Sequence, residues 1–345
     1  MDYQELKAWM TALQAQKKDP TMALLETHGA WIVLHDVYAY KVKKPVNLGF
    51  LDFSTLEKRK FFCEEELRLN SRLTNIYLRV IGIFNVNGVW EIGSMAGYKD
   101  KVPLEFAVQM RRMDPLLQMD NMLHHDKVTN KHIAAIAHQL ANFHKSSPPS
   151  AQPATTSDLR EAFNDIRSVK PALQQLPQSF FSEGIDHMIV TGQQLLQRLD
   201  SRMVERNKSG WIRDVHGDVH SGNIFLADPP VIFDCIEFNP DFRAIDVLSE
   251  IAFLCMDLER FQRPDLSSLF LNAYLQSIAA IQVPEDEALL HFYKLYRLNI
   301  RIKVKTIQAT PHLDDPKHQQ DYLQKIQPYF SLLKEYIALA EQLCS

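Results

Sequence analysis

The periodicity of the apolar residues shifts from mainly strand-like to mainly helical partway along the 345-residue chain, and that shift restricts the fold more than any other feature of it. Up to about residue 111, short runs rich in β-branched and aromatic residues alternate with turns after one opening helix, whereas from Asp120 onward the pattern is mostly helical. A sheet-forming part followed by a helix-forming part predicts an α+β protein of two lobes. Residues 1–111 make a small antiparallel-sheet lobe with one internal helix, and residues 112–345 a mostly helical lobe. Eleven glycines in the whole chain argue against a turn-dense sandwich or barrel.

In the first part, Leu6, Met10 and Leu13 predict a short helix that ends at the turn Asp19-Pro20. Residues 31–34 and 37–43 read as two strands joined at Asp36. Ser54 with Glu57 three residues on makes a capping-box pattern, which predicts a helix from Ser54 through Leu73. Runs at 77–83, at 86–92 with Asn87-Gly88 as the turn, and at 105–110 complete the sheet. In the second part, Ile133, Ile136, Leu140 and Phe143 line one helix face. The stretch from Ser146 to Thr156 breaks all periodicity and reads as a loop, and Asn223–Leu226 and Val231–Phe233 form a hairpin around Asp228-Pro229-Pro230.

With 38 basic and 42 acidic residues the net charge is −4, so no global field draws the chain to nucleic acid or to anionic lipid. Cys63, Cys235, Cys255 and Cys344 make no C-x-x-C pair, which leaves neither a disulfide framework nor a zinc knuckle. The charged start and the lack of any uncharged run of about 18 residues predict a soluble, cytoplasmic protein without a membrane partner.

The chemistry is concentrated between His216 and Asp234, in His216-Gly217-Asp218-Val219-His220-Ser221-Gly222-Asn223 and a carboxylate beyond the hairpin. Phosphoryl transfer needs such a set: one group to orient or deprotonate a hydroxyl, and two oxygen ligands for Mg²⁺. Protein kinases order these parts in the same way, with His-Arg-Asp where this chain has His-Gly-Asp. On the sheet, alternation places Ala39 and Lys41 on one face, so Lys41 is the candidate phosphate lysine. Lys43 shares that face and competes with it, although Lys43-Lys44 also reads as solvation of a strand end. The lysine's carboxylate partner comes from Glu64-Glu65-Glu66, where Glu66 falls on the buried face and Glu65 is the alternative.

The pattern H-G-D-x-H-x-x-N followed by I-x-D-x-x-E resembles the aminoglycoside phosphotransferase branch of the kinase-like fold, and the resemblance extends over nearly the whole chain. It implies a bilobal kinase-like fold and an ATP-dependent transfer of the γ-phosphate to a hydroxyl of a small-molecule acceptor. Asp218 would then be the catalytic base, Asn223 and Asp234 would hold Mg²⁺, and the adenine edge of ATP would meet backbone between Met110 and Arg112. Asp246 resembles the aspartate that opens a helix and braces the catalytic loop, while His216 and His220 read as supports of that loop. The departure is the phosphate loop, where Thr27-His28-Gly29-Ala30 stands in place of G-x-G-x-x-G. Residues 40–54 resemble more narrowly a bacterial subgroup often fused to a P-loop ATPase domain. The chain has no G-x-x-x-x-G-K-[ST], so that domain is expected to be absent and a P-loop protein would be a separate partner.

Two readings compete with this one. A kinase-like nucleotide-binding module of little or no activity would keep the fold without the transfer. A metal-dependent hydrolase would take His216, Asp218 and His220 as ligands. For the acceptor, Lys294, Arg297, Arg301 and Lys305 form a basic helical stripe. Facing solvent it would be an ordinary charged surface, and facing the site it would favour an anionic acceptor.

Overall fold

The computed structural model describes residues 1–17, 19, 21–49, 51–98, 101–150 and 155–344. Pro20 of the predicted first turn, Phe50, and residues 151–154 of the predicted loop lie outside the described residues. The chain divides into two compact units: Met1–Gln118 with Asn223–Pro240, and Met119–Gly222 with Asp241–Ser345. The first unit runs past the boundary expected at residue 111 and takes in the hairpin that follows Gly222.

In the first unit, β1 (Ala23–Glu26), β2 (Ala30–His35), β3 (Tyr38–Lys43), β4 (Tyr77–Val86), β5 (Val89–Gly93) and β6 (Glu105–Arg111) form one antiparallel sheet in the order β1-β2-β3-β6-β4-β5. The β4–β5 turn is the predicted Asn87-Gly88, with φ of 54° and 83°, a conformation that this dipeptide adopts at low cost. α1 (Tyr3–Lys17) packs Leu6, Trp9 and Leu13 on Trp31, Val33, Tyr40 and Val42. The opposite face of the sheet, with Ala39, Val108 and Met110, meets Cys63 of α2 (Leu56–Asn70). This helix starts later than the capping-box pattern indicates: Thr55, not Ser54, caps it by accepting from Lys58 N–H, and it stops at Asn70 rather than Leu73. Ser54 instead bonds Asp52 through its hydroxyl. The hairpin of β8 (Ile224–Phe225) and β9 (Val231–Ile232) belongs to this unit and sends Val231 into the α2-side core.

The second unit is helical: α3 (Met119–His124), α4 (Asn130–Ser146), α5 (Thr156–Asn164), α6 (Lys170–Leu173), α7 (Phe180–Lys208), α8 (Val247–Arg260), α9 (Pro264–Ser277), α10 (Pro284–Ala309) and α11 (Pro316–Cys344). Two short strands, β7 (Ile212–Asp214) and β10 (Ala244–Asp246), pair antiparallel at its heart. Every side chain of α8 from Val247 to Leu258 is buried, so this helix is the core around which α9, α10 and α11 pack. Among the described residues no helix is long and apolar enough to cross a membrane.

Candidate active site

In the first unit, strand alternation turns Ala39, Lys41 and Lys43 toward α2 while Tyr40 and Val42 face α1. Glu66, fully buried on α2, receives one lysine on each oxygen: Lys41 Nζ on Oε1 at 2.7 Å and Lys43 Nζ on Oε2 at 2.8 Å. Lys41 donates also to Asp234 Oδ1 at 2.5 Å, and Lys43 to Glu237. Side-chain exposure rises from 0% at Glu66 and 1% at Lys43 to 12% at Lys41 and 42% at Asp234, so the cluster reaches solvent chiefly through Asp234.

Burial works against every charge in this cluster, and the outcome depends on how many partners each group has. For Lys41 the carboxylates of Asp234, Glu66 and Glu237 outweigh burial and hold its pKa well above the ordinary lysine value, and Lys43 is raised in the same way by Glu237 and Glu66. Burial would raise Glu66, but its two lysines bring it down to about 2. Glu237 has Lys43 at hydrogen-bond distance and stands near Glu66, and burial keeps it above the ordinary carboxylate value. Lys43 is thus a buried member of the site rather than a solvated strand end. Glu65 faces outward to Arg68 at 2.6 Å, which leaves Glu66 as the partner of the lysines.

Asp234 sits at φ 65°, a left-handed conformation that costs a residue with a Cβ about 1–2 kcal/mol. Its N–H is held by the Tyr77 hydroxyl at 3.1 Å. Strain retained at one carboxylate beside a buried cation points to a role for that carboxylate. Asn223 lies at the base of the same hairpin, where its carbonyl accepts from Phe233 N–H at 3.0 Å. A carboxylate and a carboxamide placed in this way are the hard oxygen donors that suit Mg²⁺. Thr27 and Ala30 close the β1–β2 turn by a 2.9 Å bond from Thr27 N–H to the Ala30 carbonyl, which makes the stretch expected to cover the phosphates a plain hairpin tip. Met110 lies directly opposite Ala39 in the sheet, and Arg112 donates its N–H to the Val37 carbonyl at 2.8 Å.

In the second unit, β7 leads into a loop from Val215, whose N–H bonds the Arg243 carbonyl. Gly217 takes φ 90°, which explains glycine where protein kinases carry arginine. Its N–H donates to Glu250 Oε1 at 2.5 Å and its carbonyl accepts from Arg297 at 3.0 Å. Further along, Ser221 donates through N–H and hydroxyl to Asp257 Oδ2 at 2.9 and 2.5 Å. Glu250 and Asp257, two turns apart on α8, therefore grip both ends of the loop. Burial opposes the charge of Glu250, but His144, at 2.6 Å from Oε2, and the Gly217 N–H hold it below the usual range.

Between the two grips stands Asp218, 35% exposed, with Oδ2 at 3.5 Å from His220 Nε2. Burial would raise its pKa, yet His220, Arg301 and His216 hold the carboxyl well below the usual range. His216 Nδ1 accepts the Asp218 N–H at 3.2 Å, and His220 Nδ1 accepts the Gly222 N–H at 3.1 Å. Both imidazoles are thereby supports of the loop backbone, which removes the ligand atoms a zinc hydrolase would use. Among the described residues no group of three His, Cys, Asp or Glu side chains is arranged to hold a metal. Asp246 opens α8, accepting the Leu248 N–H and pairing both oxygens with Arg206 at 2.7 and 2.8 Å. Its described hydrogen bonds go to these groups, and bracing of the loop falls instead to Glu250, Asp257 and Arg297.

Of the residues singled out from sequence, Lys41, Glu66 and Asp234 are in direct contact, Asn223 shares their hairpin, and Asp218 stands in the second unit with His216 and His220. Sequence reasoning assigned no role to Glu237, Glu250 or Asp257, and took Arg297 only as a member of the basic helical stripe. The available signal was a pair of carboxylates seven residues apart in the largely apolar stretch from Val247 to Leu258.

The sequence pattern of the phosphotransferase enzyme family (APH) matches residues 105–286. Uncharacterized protein Rv2004c of Mycobacterium tuberculosis is 30% identical over an alignment of 301 residues that covers 84% of this chain and 56% of that protein. The chain thus spans about half the length of the curated relatives it matches. Two solved structures share the fold. A choline kinase from Cryptosporidium parvum superposes with a TM-score of 0.53 at 11% identity, covering 97% of each chain. A choline/ethanolamine kinase family protein from Mesorhizobium loti gives 0.52 at 10% identity, covering 99% of this chain and 100% of that one.

Proposed function

The chain belongs to the phosphotransferase enzyme family, and on that premise we propose that it transfers the γ-phosphoryl group of ATP to a hydroxyl of a small molecule with Mg²⁺ as its ion. The observation that carries this reading is Lys41, held between Glu66 and the strained, half-exposed Asp234. A lysine fixed in this way by a buried carboxylate presents a permanent cation to the nucleotide's phosphates. Bound Mg²⁺ would neutralise and orient the triphosphate, with Asn223 and Asp234 as the residues that hold it. Ala39 and Met110, opposed in the sheet, supply apolar surface for the adenine, and the backbone from Met110 to Arg112 supplies its polar edge.

Asp218 acts on the acceptor. As the acceptor oxygen forms its bond to the γ-phosphorus, the bond from that phosphorus to the β,γ-bridging oxygen breaks. ADP leaves with the electron pair, and the hydroxyl proton passes to Asp218. A carboxylate held ionised by His220 and its neighbours is a weak base, so its main work is to orient the hydroxyl and to take the proton late. The test pairs two variants. Asp218→Asn should keep ATP binding and an unchanged melting temperature while transfer falls by about 10²–10⁴. Asp234→Ala should lose Mg-ATP affinity as well as turnover. Near wild-type transfer in folded Asp218→Asn would overturn the reading.

A further inference from the structure

The basic stripe of α10 is not a solvated face. Lys294 pairs with Glu259 at 2.6 Å, and Arg297 is buried with its guanidinium on the Gly217 and Ser249 carbonyls. The next two members differ. Arg301 lies over the Phe253 ring at 5.9 Å, and its Nε is buried without a hydrogen-bond partner. Lys305 lies over the Tyr329 ring at 5.5 Å, close to Arg260, which covers the same ring at 5.2 Å. Among the described residues neither Arg301 nor Lys305 has a carboxylate within ion-pair distance, whereas Arg260 is paired with Asp257 at 2.7 Å and Lys325 with Asp321 at 2.6 Å.

Two like charges at a four-residue spacing repel each other, and neither is in ion-pair contact: the Asp257 and Asp218 carboxylates hold Arg301 charged from beyond contact distance, while Lys305 keeps a net penalty. Their surroundings lead to the loop: the Phe253 ring beneath Arg301 also meets the His220 ring at 5.2 Å, and His220 Nε2 faces Asp218. We propose that Arg301 and Lys305 form a subsite for an anionic group, phosphoryl or carboxylate, on the acceptor whose hydroxyl Asp218 addresses. This inference rests on the phosphotransferase reading and gives its acceptor a charge. The electrostatics agree: Arg301 and Arg260 act with burial to bring Lys305 down to about 8, a penalty that a bound anion would remove. Asp257 partly offsets it, and Lys325 adds to it.

The experiment compares acceptors that share a skeleton but differ in charge, namely glycerol, glycerate and glycerol 3-phosphate, then ribose and ribose 5-phosphate, with choline as the cation. ATP consumption is followed in the wild type, Arg301→Gln and Lys305→Gln. The expected result is a kcat/KM at least tenfold higher for anionic acceptors than for their neutral counterparts, with that ratio collapsing in both variants. The glycerate and glycerol 3-phosphate arms decide between carboxylate and phosphoryl. Because Arg301 is half-buried, Lys305→Gln provides the variant that folds if the other does not. A preference for neutral or cationic acceptors, an unchanged ratio in folded variants, or a loss that falls on the KM for ATP overturns the proposal while leaving phosphotransfer intact. If no acceptor is phosphorylated, the functional reading fails, and calorimetry with inorganic phosphate then decides the subsite alone. Binding that is lost in both variants upholds it, and no binding overturns it.

Discussion

Lys41 and Lys43 differ by two positions on one strand, share one carboxylate, and are placed for different tasks. Lys41 ends on Asp234, which is open to solvent, whereas Lys43 ends on Glu237 and is enclosed. Removing one partner of a buried ion pair leaves the other charge uncompensated, at a cost of about 3–5 kcal/mol. Lys43→Met should therefore lower the melting temperature strongly through Glu66 and Glu237. Lys41→Met should act mainly on catalysis, with a raised KM for ATP and a lowered kcat. Thermal unfolding and steady-state kinetics on the two variants separate the roles, and a KM effect confined to Lys43→Met would exchange them.

Helix α8 organises the loop as one rigid element, since Glu250 and Asp257 stand two turns apart on the same face of one buried cylinder and hold its two ends. Asp257→Ala would leave the buried Ser221 N–H and hydroxyl without their acceptor, at about 1–3 kcal/mol per orphaned group. The expected outcome is faster hydrogen exchange over residues 216–222 and a fall in kcat with little change in the KM for ATP. The elements themselves were largely legible, because β2, β3, β4 and β6 are short runs rich in apolar, β-branched and aromatic residues in a sheet covered on both faces, and the helical stripe of α4 follows from one buried helix face. β1 escaped notice because it is four residues long with Leu25 and Glu26 exposed, which leaves no apolar period to read. The α2 cap moved one residue because Ser54 found a nearer partner in Asp52. The pairing of Lys41 with Glu66 could be anticipated from strand alternation and the buried face of the helix, whereas its contact with Asp234 could not. The burial of Lys43 and of the α10 stripe could not, since a charge pattern alone does not show which face a neighbouring helix covers.

At the scale of the whole molecule, both units carry a carboxylate that burial penalises and cations rescue: Glu66 in the first, and Asp286 in the second, held at about 2 by Arg202 and Arg206 among its partners. Their folded values lie below the ordinary one, so the stabilisation is full above about pH 4.5 and is lost as the pH falls toward 2. Lys305 has the opposite sign. Its folded value of about 8 lies below the ordinary 10.5, so its penalty is complete below pH 8 and is relieved as the pH rises to 10.5. Melting curves against pH should show an acid limb between pH 4.5 and 2. Lys305→Met should be more stable than the wild type at pH 7, by about 1 kcal/mol, with the gap closing toward pH 10.5.

The discontinuity of the first unit has a consequence for synthesis. Lys43 and Glu237 are 194 residues apart, and a ribosome adding about 5–20 residues per second leaves roughly 10–40 s between them. Without the late hairpin, Lys41 and Lys43 have Glu66 alone as hydrogen-bonded carboxylate, two positive charges to one negative, and Asp234 and Glu237 reverse the excess. The earlier segment of this unit thus reaches electrical balance only when its later segment arrives.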